Sequence, residues 1–197
     1  MKQKEIIYRE LAEHILRKEK NILTQLMLSK KLQISLNTVN GAIFPLRRIG
    51  AVQVRQRSLA VIDEKKLILY FASVRNLQKD ICWQTRAEMP PSRIEKNMPA
   101  NAIFTAYSAY KFLFDDVPAD YSEIYVYADE KGLAEIQRRF PKKEGPANLF
   151  VLKADENMLQ TAKKGIASLP QIYVDLWNLP QWYAKEFTDA FEKRFGW

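Results

Sequence analysis

The 197-residue chain has one cysteine, Cys82, and one histidine, His14. A single cysteine excludes an intramolecular disulfide and a cysteine-rich metal knuckle. A zinc site would then have to rest on carboxylates, which zinc seldom prefers for structural roles. Glycine is also scarce, with 6 in all, none followed by serine, and no Asp-x-Asp occurs. The phosphate-cradling turn and the close carboxylates of metal-dependent nucleotidyl transfer are therefore missing as motifs. No Walker loop or dinucleotide fingerprint is present either. Asp115, Asp116, Asp120 and Asp129 are scattered over an apparent turn and a strand end. Ser108 lies in a helical run without a glycine elbow. His14, near Glu10 and Glu13, reads as a surface or structural group. Cys82, beside Trp83, reads as a small buried apolar side chain. These absences predict a protein that is not an enzyme and that uses no metal and no cofactor.

Long apolar runs are lacking too. No stretch approaches 18 apolar residues, and the N-terminus has no uninterrupted apolar segment like that of a secretory signal, so a soluble, cytoplasmic protein with no membrane partner is expected. With 47% hydrophobic and 12% aromatic residues the chain can still bury a real core.

Negative charge is short in one part only. Residues 1–76 carry 15 Lys/Arg against 6 Asp/Glu, a balance of +9, whereas residues 77–197 carry 16 against 17, a balance of −1. The formal +8 of the whole chain is thus confined to its first two fifths. A basic surface limited to one module points to a polyanion partner, because the fields of many side chains add and draw in phosphate backbones.

The periodicity of that basic part predicts a helix over about residues 5–20, a second over Thr24 to Lys31 with Leu26, Met27 and Leu28 as its buried side, and a third capped by Ser35. Pro45 is expected to bend or restart the third helix. Residues AVQVR and SLAVI then alternate around Gln56-Arg57-Ser58, as in a hairpin with a basic tip. The acidic pair Asp63-Glu64 opens another helix. Helix, helix, helix, hairpin, helix is the order of a winged helix-turn-helix, expected over residues 22–62 within a DNA-binding domain of residues 1–76. Residues 77–102, with three prolines in EMPPSRIEKNMPANA, read as a linker or long loop. Residues 103–197 alternate helical and strand signals: AIFTAYSAYKFLF as helix, EIYVYAD, NLFVLKAD and QIYVDLWN as strands, and KGLAEIQRRF and PQWYAKEFTDAFEKRF as helices, the last with Pro180 in its first turn. The fold class predicted is α+β, a winged helix-turn-helix followed by a C-terminal α/β-type domain with a small sheet.

In such a module the third helix would meet duplex DNA. Asn37, Thr38 and Asn40 fall near its N-terminal end, where side chains reach base edges, and Asn can pair bidentately with adenine. Lys30, Lys31, Arg47 and Arg48, with Arg55 and Arg57 on the wing, are the phosphate candidates. In the C-terminal part Asp175 interrupts an apolar stretch and needs a salt bridge, a cap or a partner. With Trp177 and Trp182 it forms the set of candidate partner-binding residues. Phe187, Phe191 and Phe195, spaced by four, form one stripe that packs on a sheet or, if exposed, forms an interface.

The run TQLMLSKKLQISLNTVNGAIFPLRRIGAV resembles the winged helix-turn-helix of bacterial and archaeal transcriptional regulators. The segments AIFTAYSAYKFLF, EIYVYAD, NLFVLKAD and QIYVDLWNLP resemble the AbiEi-type antitoxin regulators of type IV toxin-antitoxin systems. The likeness falls on Ala106 to Ala109, Tyr125 to Asp129 and Tyr173 to Pro180, and departs at Gln181-Trp182, where many relatives have a Gly/Arg-rich turn. It implies an autorepressor whose winged helix binds operator DNA and whose C-terminal domain opposes a nucleotidyltransferase-type toxin; a homodimer is the expectation from the way such regulators read two half-sites. Two rivals are a protein-interaction scaffold built on a winged helix and a nucleotidyltransferase-related enzyme.

Overall fold

In the computed structural model the described residues are 1–17 and 22–196. The chain divides into two compact units, Met1–Arg75 and Asn76–Trp197. The fold is α+β with two small sheets.

The first unit opens with α1 (Gln3–Leu16), which buries Ile7, Tyr8, Leu11 and Ala12. The part of the expected first helix beyond residue 17 lies outside the described residues. Helix α2 (Gln25–Leu32) starts where the Thr24 side chain accepts from the Met27 N–H. Helix α3 (Leu36–Arg48) starts where Ser35 accepts from the Thr38 N–H. Each cap satisfies an amide that the first helical turn leaves without a partner. The turn between them spans residues 33–35, with Gln33 in the left-handed region at φ 54°. The Ser29 hydroxyl ties it by donating to the Ile34 carbonyl at 2.7 Å. Pro45 does not restart α3, which is continuous to Arg48. The ring removes one N–H, the one that would bond the Gly41 carbonyl, and Gly41 is exposed, so water can serve that carbonyl. Strands β1 (Val52–Arg55) and β2 (Ser58–Val61) form an antiparallel hairpin around Gln56-Arg57. The Leu59 N–H donates to the Leu23 carbonyl at 2.7 Å, which ties the hairpin to the segment before α2. Helix α4 (Glu64–Val74), capped by Asp63, packs on α1 through Leu67, Ile68, Phe71 and Ala72. The buried Arg75–Glu5 pair, 3.1 Å apart, links the end of α4 to the start of α1.

The second unit is built on a four-stranded mixed sheet in the order β3-β6-β5-β4, where β3 is Ile81–Thr85, β4 Ile103–Thr105, β5 Ile124–Ala128 and β6 Leu149–Lys153. Strands β5 and β6 run parallel, joined through α7 (Glu130–Arg139), and the other two pairings are antiparallel. One core cluster joins Ile94, Met98 and Ala102 to Val126, Ile136, Phe140 and Val151. Helices α6 (Ala106–Phe114), α9 (Leu169–Trp177) and α10 (Ala184–Phe195) pack with one another, and α8 (Glu156–Thr161) follows β6.

Several expectations need correction here. Residues 77–102 are not a linker: they hold a 3-10 turn at Leu77–Asp80, the edge strand β3 and helix α5 (Pro91–Lys96), and Ile94 is fully buried. Pro91 stands in the first turn of α5, the place in a helix where its missing N–H costs nothing. QIYVDLWN is helix, not strand. Pro170 through Leu176 are all buried, and a segment buried on every side carries no period by which helix and strand could be told apart. AIFTAYSAYKFLF begins as strand β4 and becomes helix only at Ala106, whose φ of 51° makes the sharp corner. Pro180 lies ahead of α10 rather than in its first turn.

Candidate nucleic-acid interface

At about 100° per residue, Leu36, Asn37, Asn40, Gly41, Phe44, Arg47 and Arg48 fall within roughly 140° of arc on α3. All seven are exposed. The opposite side, Val39, Ala42, Ile43 and Leu46, is buried, and the Tyr8 hydroxyl donates to the Ala42 carbonyl at 3.1 Å. The helix is thus anchored to its own unit by one face and offers the other whole. No hydrogen bond engages the Asn37 or Asn40 amide within the described residues. Thr38 stands apart from them: it is half-buried, with its hydroxyl 2.9 Å from Ser35 Oγ.

The cations divide in the same way. Lys30, Arg47 and Arg57 are exposed and unengaged among the described residues, and the Arg48 guanidinium lies 5.9 Å from the centre of the exposed Phe44 ring. Arg55 is held on the hairpin by two hydrogen bonds to Gln53 Oε1, at 3.2 and 3.0 Å. Lys31 is committed to the buried carboxylate of Glu10, at 2.5 Å, so it is the least available of the phosphate candidates. Residues 22–62 contain Lys30, Lys31, Arg47, Arg48, Arg55 and Arg57 and not one Asp or Glu. Nothing on this segment repels a polyanion.

Leu26 and Met27, expected inside, are 53% and 46% exposed; of that apolar trio only Leu28 is buried. A helix of two turns lying mainly on α3, with a smaller contact to α1, buries a narrow stripe, and three consecutive residues point in three directions. The exposed Leu36 and Phe44 also escaped sequence reasoning, because apolar residues at helical spacing read as core. The one sequence signal for Phe44 was its place outside the Val39–Ile43–Leu46 stripe.

In the second unit Asp175 cannot meet a partner, being 0% exposed. Its carboxylate accepts from the Thr105 and Tyr127 hydroxyls, both at 2.7 Å, and from Gln171 Nε2 at 2.9 Å, which offsets the cost of burying it. Trp177 and Trp182 are exposed, at 47% and 77%. The phenylalanine stripe packs on helices rather than on the sheet, Phe187 and Phe191 against Tyr110 and Phe191 against Tyr173. Cys82 is exposed on the edge strand, contrary to expectation, and its thiol donates to the Val151 carbonyl; partial desolvation pushes its pKa up. Of the scattered carboxylates, Asp129 caps α7 and Asp116 pairs with Arg194 at 2.6 Å. Among the described residues no group of three or more His, Cys, Asp or Glu could hold a metal ion, and no helix is long and apolar enough to cross a membrane.

No protein-family model, curated protein or solved structure matches this chain.

Proposed function

We propose that residues 22–62 act as a winged helix-turn-helix that lays α3 in the major groove of duplex DNA, and that the protein is a cytoplasmic transcriptional regulator of the AbiEi-like antitoxin type. The observation that carries this is the carboxylate-free, six-cation segment around an unobstructed helix face. Support comes from the short turn before α3 and from the hairpin bonded back to residue 23, since this topology presents a second helix and a wing together. Asn37 and Asn40 meet base edges. Lys30, Arg47, Arg48, Arg55 and Arg57 hold phosphates, and repression is steric where the site overlaps a promoter. The C-terminal unit docks a nucleotidyltransferase-type toxin or a second copy through the surface around Trp177 and Trp182.

A second reading has one observation in its favour. From Leu36 to Phe44 the exposed face of α3 is uncharged and holds two apolar side chains, as a protein-docking face would. A gel-shift titration against duplex from immediately upstream of the gene separates the two. For a regulator, Arg55→Ala with Arg57→Ala weakens binding to every sequence and lowers the salt slope by about 0.9 for each phosphate no longer neutralised. Asn37→Ala with Asn40→Ala instead removes selectivity. Binding no tighter than to random duplex at moderate salt would favour the docking face.

A further inference from the structure

We infer that α3 reads A·T-rich sites through thymine methyl groups, with Leu36 and Phe44 against the methyls and Asn37 and Asn40 on the adenine edges; this rests on the DNA-binding function proposed above. Leu36 is 42% and Phe44 57% exposed, on the same face as Asn40 at spacings of four. Exposed apolar area of this size on a helix otherwise well anchored is unsatisfied by the protein itself. In the major groove the apolar feature of a base pair is the C5-methyl of thymine, and Phe is among the side chains that take it.

The residue types absent from the first turns of this face, ahead of Arg47 and Arg48, narrow the site further. Guanine is read by Arg or Lys and cytosine by Asp or Glu. Between Leu36 and Phe44 there is none of the four. The polar residues that are present and unengaged, Asn37 and Asn40, are suited to adenine N6 and N7, the partner edge of the same base pair. Gly41, one turn beyond Asn37, stands at the edge of this face, and a Cβ built there meets nothing within 4 Å. No intramolecular packing calls for glycine at that position, whereas at Gly132, the other helical glycine, a Cβ would meet three atoms at 3.1–3.2 Å. A bare backbone at Gly41 lets the edge of the helix beside Asn37 and Phe44 come close to the groove. Arg48, beside the Phe44 ring, supplies the positive charge at the end of the face.

In the test, the full chain first selects its own duplexes from a random-sequence pool. The enriched duplex is then resynthesised with deoxyuridine for thymidine, which deletes the methyl and nothing else. Enriched sites should be A·T-rich, and the uridine duplex should bind on the order of tenfold more weakly, as expected when two methyl groups no longer leave water on binding. Leu36→Ala and Phe44→Ala, both at exposed positions, should each reduce that difference while far-ultraviolet circular dichroism stays unchanged. Enrichment of G·C-rich sites, or equal binding of the thymidine and uridine duplexes, overturns the inference and leaves DNA binding standing. No enrichment of any duplex overturns both.

Discussion

Replacing Gly41 by alanine separates what the fold needs at this position from what a ligand needs. Gly41 is six residues beyond the Ser35 cap, inside α3, exposed, and with open space where a Cβ would stand. Glycine in a helix interior is about 0.8–1 kcal/mol worse than alanine, because the freer backbone loses more entropy on folding. With no clash to set against it, Gly41→Ala should stabilise Met1–Arg75 by about 1 kcal/mol, or roughly 4–8 °C in Tm for a two-state unit of that size. With α3 in the groove as proposed, the same methyl protrudes beside Asn37 at the edge of the face and holds the helix away. Affinity for the selected duplex should therefore fall by about tenfold or more, equivalent to about 1.4 kcal/mol. Thermal unfolding by circular dichroism and fluorescence-anisotropy titration measure the two quantities on one preparation. A variant that is more stable and binds as tightly as the parent refutes close approach at Gly41. One that is less stable refutes the assignment of open space.

Removing either member of the buried Arg75–Glu5 pair, as in Arg75→Ala, should cost about 3–5 kcal/mol, since the surviving charge loses this ion pair in the interior. Urea titration checks it, and a loss under about 1 kcal/mol would mean that water reaches the pair. Asp175→Ala takes the acceptor from Thr105, Tyr127 and Gln171 at once and should destabilise the second unit by about 3 kcal/mol or more. Trp182→Ala, at 77% exposure, should change stability by no more than about 0.5 kcal/mol; a larger loss would show that it packs. Burial pushes Tyr125 up to about 12 from its ordinary 10 and raises Tyr107, Tyr121 and Tyr173 in the same direction. Below about pH 10 these groups are neutral in both states and their contribution is complete. Above it the unfolded chain releases the protons first, so stability is lost as pH climbs through about 10 to 12. Tyrosinate absorbance should thus appear together with unfolding, and ionisation near 10 in a chain that stays folded would contradict it.

Of the candidate interface, the cations and the asparagines are candidates by residue type and spacing alone, and the fold leaves Asn37, Asn40, Lys30, Arg47 and Arg57 exposed. Thr24, Ser35 and Asp63 announced three helix starts, since a cap is an interaction within one turn of chain. Alternation around Gln56-Arg57 marked the hairpin for the same local reason. Charge partition between the two parts of the chain is likewise a property of sequence and needs no coordinates.

Long-range partners were decided by the tertiary structure. Lys31 and Arg47 are alike as letters, and only the fold sets the buried Glu10 carboxylate against one of them. Asp175 reads in sequence as a charge needing a salt bridge, a cap or a partner, and only the fold brings the Thr105 and Tyr127 hydroxyls, 70 and 48 positions away, onto it. The apolar stretch of α9 and the proline-rich residues 77–102 were misassigned because their state is set by what covers them. A strand such as β3 exists through its pairing with β6, some seventy residues later. Exposure of Leu36 and Phe44 belongs to the same class: hydrophobicity says that burial is favourable, but only packing determines which apolar residues a small unit has room to bury and which stay exposed.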